Sequence, residues 1–181
     1  MGDSPRLPIH DMAARHPGLT PALAGAYLEA GRVCLHRHHV SPIEFHLEED
    51  GNATPARVEW QPPDARCQAA FANETDTTEF GGYLIALASM EFSRGLVAVS
   101  RAETRTGADY YLSPAGPAVE DLEGTVRLEA SGTDRGDHST VARRLREKVD
   151  QALNGHSSLP AIAVVVGFHA QLVMIEQVGS P

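Results

Sequence analysis

The residues with most chemistry to offer are two carboxylates and an amine. They are Asp109 in "GADYYL", Glu129 in "VRLEASG" and Lys148 in "RRLREKVDQAL", the only lysine among 181 residues. Both acids lie in segments that read as neighbouring strands. In the second, Thr125, Arg127, Glu129 and Ser131 share one face and Val126, Leu128 and Ala130 the other, because successive strand side chains alternate. Antiparallel pairing would bring Asp109 close to Glu129, although neither segment specifies the register. Two carboxylates meeting at one point repel, and a divalent cation relieves that cost. Ligation by oxygen alone suits Mg²⁺, which keeps several waters and takes one or two protein carboxylates. The competing reading is the solvated polar face of an ordinary sheet.

The elements that would position these groups follow from period and punctuation. The first twenty residues, with Pro5, Pro8, Pro17 and Gly18, read as a flexible tail (1–20) ahead of a single α/β domain (21–181). Thr20-Pro21 supplies an N-cap and a first-turn proline, and Leu23, Tyr27, Leu28, Cys34 and Leu35 follow at roughly helical spacing. "SPIEFHLEEDGNATPARVEW" alternates apolar and polar residues about "EEDGN", the pattern of a β-hairpin. Helix and hairpin together make an N-terminal extension (21–63) on a core (64–181). In that core, helix is expected from about Asp64 to Ser93, with a restart at "NETDTTEF". Phe80, Leu84, Leu87 and Glu91 fall on one stripe, and Gly81-Gly82 permits a close backbone approach. Strands "LVAVSRAET", "ADYYL" and "TVRLEAS" come next, the last two separated by a loop over 113–124. A helix capped near Asp137 then runs to about Asn154. "PAIAVVVGF" has the unbroken apolar character of a strand buried on both faces, and "AQLVMIEQV" reads as a short helix or an edge strand.

From residue 74 to 176 the order is therefore α-β-β-β-α-β. With "GADYYL" for a strand aspartate and "VRLEAS" for a Glu-x-Lys strand, this resembles the PD-(D/E)XK, or restriction-endonuclease-like, superfamily. The resemblance implies a mixed sheet flanked by helices, Mg²⁺ held by Asp109 and Glu129, and a first-helix glutamate, Glu79 or Glu91, completing the metal site. It also implies a lysine that orients the attacking water and steadies transition-state charge. Ser131 stands where that lysine belongs. Some members of the superfamily supply the lysine from the following helix, where Lys148 borders the stripe of Val141, Leu145, Val149 and Ala152; Gln151 follows one turn later. Catalytic roles are thus expected for Asp109, Glu129 and Lys148.

Other features compete for attention. "HRHH" at 36–39 together with His46 offers imidazoles for a metal, but His36 and His39 share a helical face only if the helix continues through Val40. A helix C-terminus, where His and Arg complement the dipole, explains them as well. Arg143, Arg144 and Arg146 form a basic cluster that could meet a phosphate backbone or an acidic partner; with Glu147 and Asp150 interspersed, it equally fits an ordinary solvated face. The net charge of −9 disfavours unaided binding of duplex DNA, but leaves room for a small cleft with local Arg or for a subunit that borrows its grip from a partner within an oligomer or complex. No apolar run suits a membrane, "MGDSPRLPIH" lacks a signal-peptide pattern, and two cysteines without metal spacing point to a cytoplasmic chain. The expected function is a Mg²⁺-dependent nuclease, or a nuclease-derived component of a nucleic-acid-processing or defence system. The alternative is a non-catalytic interaction subunit on the same fold, with no cofactor.

Overall fold

A computed structural model, describing residues 4–116, 122–155 and 157–179, gathers every strand into one mixed sheet. The elements are α1 (Met12–Arg15), α2 (Pro21–His38), β1 (Ile43–Glu49), β2 (Asn52–Val58), α3 (Ala65–Ala70), α4 (Glu74–Arg94), β3 (Leu96–Arg101), β4 (Tyr110–Pro114), β5 (Val126–Thr133), α5 (His138–Leu153), β6 (Ala161–Gly167) and β7 (Leu172–Val178). The strand order is β2-β1-β7-β6-β5-β4-β3. β5 and β6 are parallel and joined through α5, β1 is parallel to β7, and the other neighbours are antiparallel. This is an α/β architecture with a mixed sheet flanked by helices.

Local chemistry sets most boundaries. Thr20 accepts a hydrogen bond from the Leu23 amide with Pro21 in the first turn, Asn73 caps α4 and Asp137 caps α5. Asp50 and Gly51, at φ 50° and 77°, make the tight turn between β1 and β2, a left-handed geometry natural to Asp-Gly. A large core lies beneath α2 and α4. A smaller one lies beneath α5, where Val141, Leu145 and Ala152 meet Ala161, Ala163 and Val165 of β6.

Gly81 and Gly82 do allow the close approach expected of them. A Cβ on Gly81 would lie 3.2 Å from the Gly31 Cα of α2, and one on Gly82 would lie 2.8 Å from the Gly132 amide of β5. Helix α4 is thereby held tightly between α2 and the strand carrying Glu129.

Three expectations need correction. The stretch 1–20 is not an unpacked tail over its described residues: Leu7, Ile9 and Met12 are buried in the main core. The Leu7 amide donates to the Arg57 carbonyl of β2 and the Arg57 amide donates to the Pro5 carbonyl, a parallel bridge, and the Gly18 amide donates to the Ala98 carbonyl of β3. Nor is the helix-hairpin unit (21–63) an extension, since β1 joins the sheet through β7 and α2 packs on α4. Finally, "LVMIEQV" is strand β7, and it is an inner strand between β6 and β1 rather than an edge. The loop expected over 113–124 lies partly outside the described residues.

His16 fastens the N-terminal segment. Its Nδ1 accepts from the Ala98 amide at 3.0 Å, so the ring proton sits on Nε2, which meets Glu91 Oε2 at 3.0 Å. Burial holds the imidazole below its ordinary value of 6.5, against the opposing pull of Glu91. A base whose folded pKa is lowered contributes stability that is complete above the unfolded value and is lost as pH falls through the folded one. Urea melts are therefore expected to show wild-type stability falling below about pH 6.5, and the His16→Gln variant falling less over that range. Identical acid limbs would refute this linkage.

Candidate active site

Where β4 and β5 part, a polar site forms. Their pairing ends at Tyr110 opposite Leu128, and the Asp109 amide still donates to the Leu128 carbonyl at 2.7 Å. At the next rung Asp109 supplies its side chain: Oδ2 accepts from the Ala130 amide at 2.8 Å. Asp109 thus precedes β4 rather than lying within it, and its carboxylate fills the gap left by the ended ladder.

The polar residues of β5 point toward α5, as alternation requires. Arg127 bonds the Ala152 carbonyl, Glu129 meets Lys148 and Ser131 meets Arg144. This face is not solvated; Arg127, Glu129 and Ser131 are all buried. The bland reading of a wet polar sheet face therefore fails, and each of these groups needs a partner to offset desolvation.

Lys148 and Glu129 form the central pair, with Nζ 2.6 Å from Oε1 and side-chain exposures of only 12% and 9%. Gln151 Oε1 accepts a second Lys148 proton at 2.9 Å. Burial, and then the negative charge of Asp109, push the Glu129 carboxyl above its ordinary value, with Lys148 opposing them. Asp109 and Glu129 therefore sense one another across the site.

On the α4 side, Tyr83 is a hub. Its hydroxyl lies 2.8 Å from Asp109 Oδ1 and 3.0 Å from Glu79 Oε1, and accepts from Arg101 Nη2 at 3.2 Å. One phenolic proton thus serves two carboxylates. Burial and the nearby Asp109 charge raise the Tyr83 pKa, keeping that proton in place. The Arg101 guanidinium stacks over the Tyr83 and Tyr110 rings at 4.6 and 4.8 Å and stands 3.7 Å from Asp109.

These groups line, or stand directly behind, a cavity of about 490 Å³ whose wall includes Glu74, Glu79, Tyr83, Asp109, Arg144 and Lys148. The structure therefore brings together Asp109, Glu129, Lys148, Gln151 and Glu79. It does not bring Glu91, which lies twelve residues beyond Glu79 on α4, about 18 Å along the axis. Glu91 is paired with Arg15 at 2.5 Å and with His16, so its expected role as a metal ligand is corrected to that of an anchor for the N-terminal segment.

Tyr83 and Arg101 were not singled out from sequence, and Arg144 was noted only as one of a basic cluster, not as part of this site. Helical spacing held a signal for two of them: Tyr83 is four residues after Glu79 and Arg144 four before Lys148. Nothing local distinguishes Arg101.

The histidines scatter. α2 ends at His38, so His36 and His39 never share a helical face. His39 bonds the Phe168 carbonyl and Gln171, His38 lies 3.3 Å from Asp134, and His46 is exposed beside Glu44.

Among the described residues no three His, Cys, Asp or Glu side chains converge as a ready-made metal shell. The donor set that remains, Asp109 and Glu129 with Glu79 at the rim, is hard oxygen, of the kind Mg²⁺ takes together with its waters. Among the described residues no helix is long and apolar enough to cross a membrane. In comparison with known proteins, no family model, no curated protein and no solved structure matches this chain.

Proposed function

We propose that this cavity is the active site of a Mg²⁺-dependent phosphodiesterase of the nuclease class, on a core arranged like that of the PD-(D/E)XK superfamily. The observation that carries the reading is Lys148 Nζ at 2.6 Å from Glu129, with Asp109 just ahead of the adjoining strand. An amine from the following helix thus reaches Glu129, two residues before Ser131, which stands where the lysine is expected. The α-β-β-β-α-β order and the parallel β5–β6 crossover support the same reading.

In this reading Asp109 and Glu129 hold the cation, which when bound supplies Lewis-acid charge and a more acidic water. Tyr83 and the Ala130 amide fix the Asp109 carboxylate in direction. Lys148 has three protons and gives two to Glu129 and Gln151, leaving one for the attacking water or the phosphoryl oxygens. Hydrolysis then breaks a phosphorus–oxygen bond, with water adding to phosphorus and the leaving oxygen taking a proton.

A second reading has its own support. Glu129 is already neutralised by Lys148, and Asp109 by Arg101, Tyr83 and an amide, so neither acid requires a cation. A site balanced in this way suits a non-catalytic binding subunit. Calorimetry with MgCl₂ and MnCl₂ separates the two. Binding to the wild type that is lost in Asp109→Asn and Glu129→Ala, together with cleavage of labelled oligonucleotides, is the expected result. A wild type that binds neither metal sinks the phosphodiesterase reading.

A further inference from the structure

Arg144 does not lie on the solvated face where its charged neighbours would place it. Its Nε donates to Ser131 Oγ at 3.0 Å, and its Nη1 meets Glu147 Oε2 at 2.8 Å. Ser131 is only 9% exposed, and both residues line the cavity. Among the described residues Nη2 has no partner. Two contacts thus set the direction of a planar fork while some of its five donors remain unspent.

The wall of the cavity is divided by charge. Glu74, Glu79 and Asp109 stand on the α4 and β4 side, and Asp134, between β5 and α5, is engaged by Arg37 and His38, whereas Arg144 and Lys148 stand one turn apart on α5. An anion entering from solvent is repelled by the first wall and received by the second. A planar guanidinium beside an ammonium matches the oxygens of a phosphate better than a lone point charge does.

We propose that Arg144, braced by Ser131, is a phosphate-binding group of this cavity and grips a phosphate ester without a metal ion. That the natural ligand is a nucleic-acid phosphate rests on the phosphodiesterase reading; the grip itself does not. Ser131 is then a brace in use, rather than a vacancy left by a lysine. A lysine in its place would set a third cation against Arg144 and Lys148 and remove the acceptor that orients the fork.

The test is calorimetric titration with inorganic phosphate and with a phosphorylated trinucleotide, in EDTA at low ionic strength. Arg144→Gln is expected to weaken binding about tenfold or more, the scale of a lost charged hydrogen bond. Ser131→Ala is expected to weaken it less. Ser131→Lys is expected to weaken it despite the added positive charge, a result that mere charge attraction would reverse. Arg144 is 37% exposed, so its variant is expected to keep the wild-type thermal midpoint, checked by circular dichroism.

The proposal is overturned if the wild type binds no phosphate, if Arg144→Gln binds like the wild type, or if Ser131→Lys binds more tightly. Arg144-dependent phosphate binding in a protein that cleaves nothing with Mg²⁺ would uphold the grip and remove the phosphodiesterase. Cleavage with an unchanged KM in Arg144→Gln would do the reverse.

Discussion

Lys148→Met is expected to lose the proposed phosphodiesterase activity and stability together, whereas Glu129→Gln loses that activity with a smaller loss of stability. Removing Lys148 leaves Glu129 buried beside Asp109 with only the more distant Arg144 charge in its favour, and breaking such a pair costs about 3 kcal/mol or more. Activity is expected to fall at least about 10²-fold, the scale of losing one transition-state donor. Glu129→Gln instead removes a carboxylate whose ionised form the fold disfavours. An acid with a raised folded pKa is most favourable to the fold when protonated, below its unfolded value, and that contribution is lost as pH rises through the folded value. At neutral pH the wild type therefore carries this penalty, and the Gln variant does not. Its amide oxygen still accepts from Lys148. Denaturant melts are expected to place Glu129→Gln above Lys148→Met near neutral pH, since the desolvation penalty it relieves offsets the lost partner of Lys148. The Lys148→Met deficit should narrow as pH falls below neutral, because Glu129 takes up its proton above the ordinary carboxylate range. Equal midpoints for all three proteins would show that the pair is no buried ion pair at all.

Gly132→Ala is expected to damage the fold and the site at once. A Cβ at Gly132 would lie 2.5 Å from the Thr78 carbonyl of α4, and one at Gly82 would lie 2.8 Å from the Gly132 amide. Backbone faces backbone here, so no side chain is available to rotate away; helix and strand must separate. Overpacking of this kind costs about 1–3 kcal/mol. The same separation draws Tyr83 and Glu79 away from Asp109 and β5, so metal and phosphate affinities should fall along with the midpoint. Gly25→Ala is the control. Gly25 is exposed in α2 with nothing within 4 Å of an added Cβ, and the change is expected to stabilise by about 0.5–1 kcal/mol. A Gly132→Ala protein with wild-type stability and binding would refute the close-contact account.

What could be read from the sequence was local. Thr20-Pro21, Asp50-Gly51 and Asp137 act through neighbours a few residues away, and the α2, hairpin and α5 boundaries followed from them. Lys148 was placed at the border of the α5 stripe, and alternation along β5 put Glu129 and Ser131 on one face. What escaped was decided at long range. A wet face and a buried face of β5 have the same alternation, and only the packing of α5 separates them. "LVMIEQV" carries no mark of its parallel partner β1, 126 positions earlier by the His46–Leu172 pairing. Two misreadings were really one: Glu91, on an apolar stripe, did need a partner, and that partner was Arg15 and His16 in the segment taken for a tail.

That segment engages both ends of the sheet. Residues 5–7 pair with β2 at one margin, and His16 and Gly18 hold Ala98 of β3 at the other. Both docks can be filled at once only when the five strands between β2 and β3 lie side by side, so residues 5–18 form a strap whose reach matches the assembled sheet. Residues 5–7 need only the β1–β2 hairpin, whereas the His16–Ala98 contact closes a loop of 82 positions.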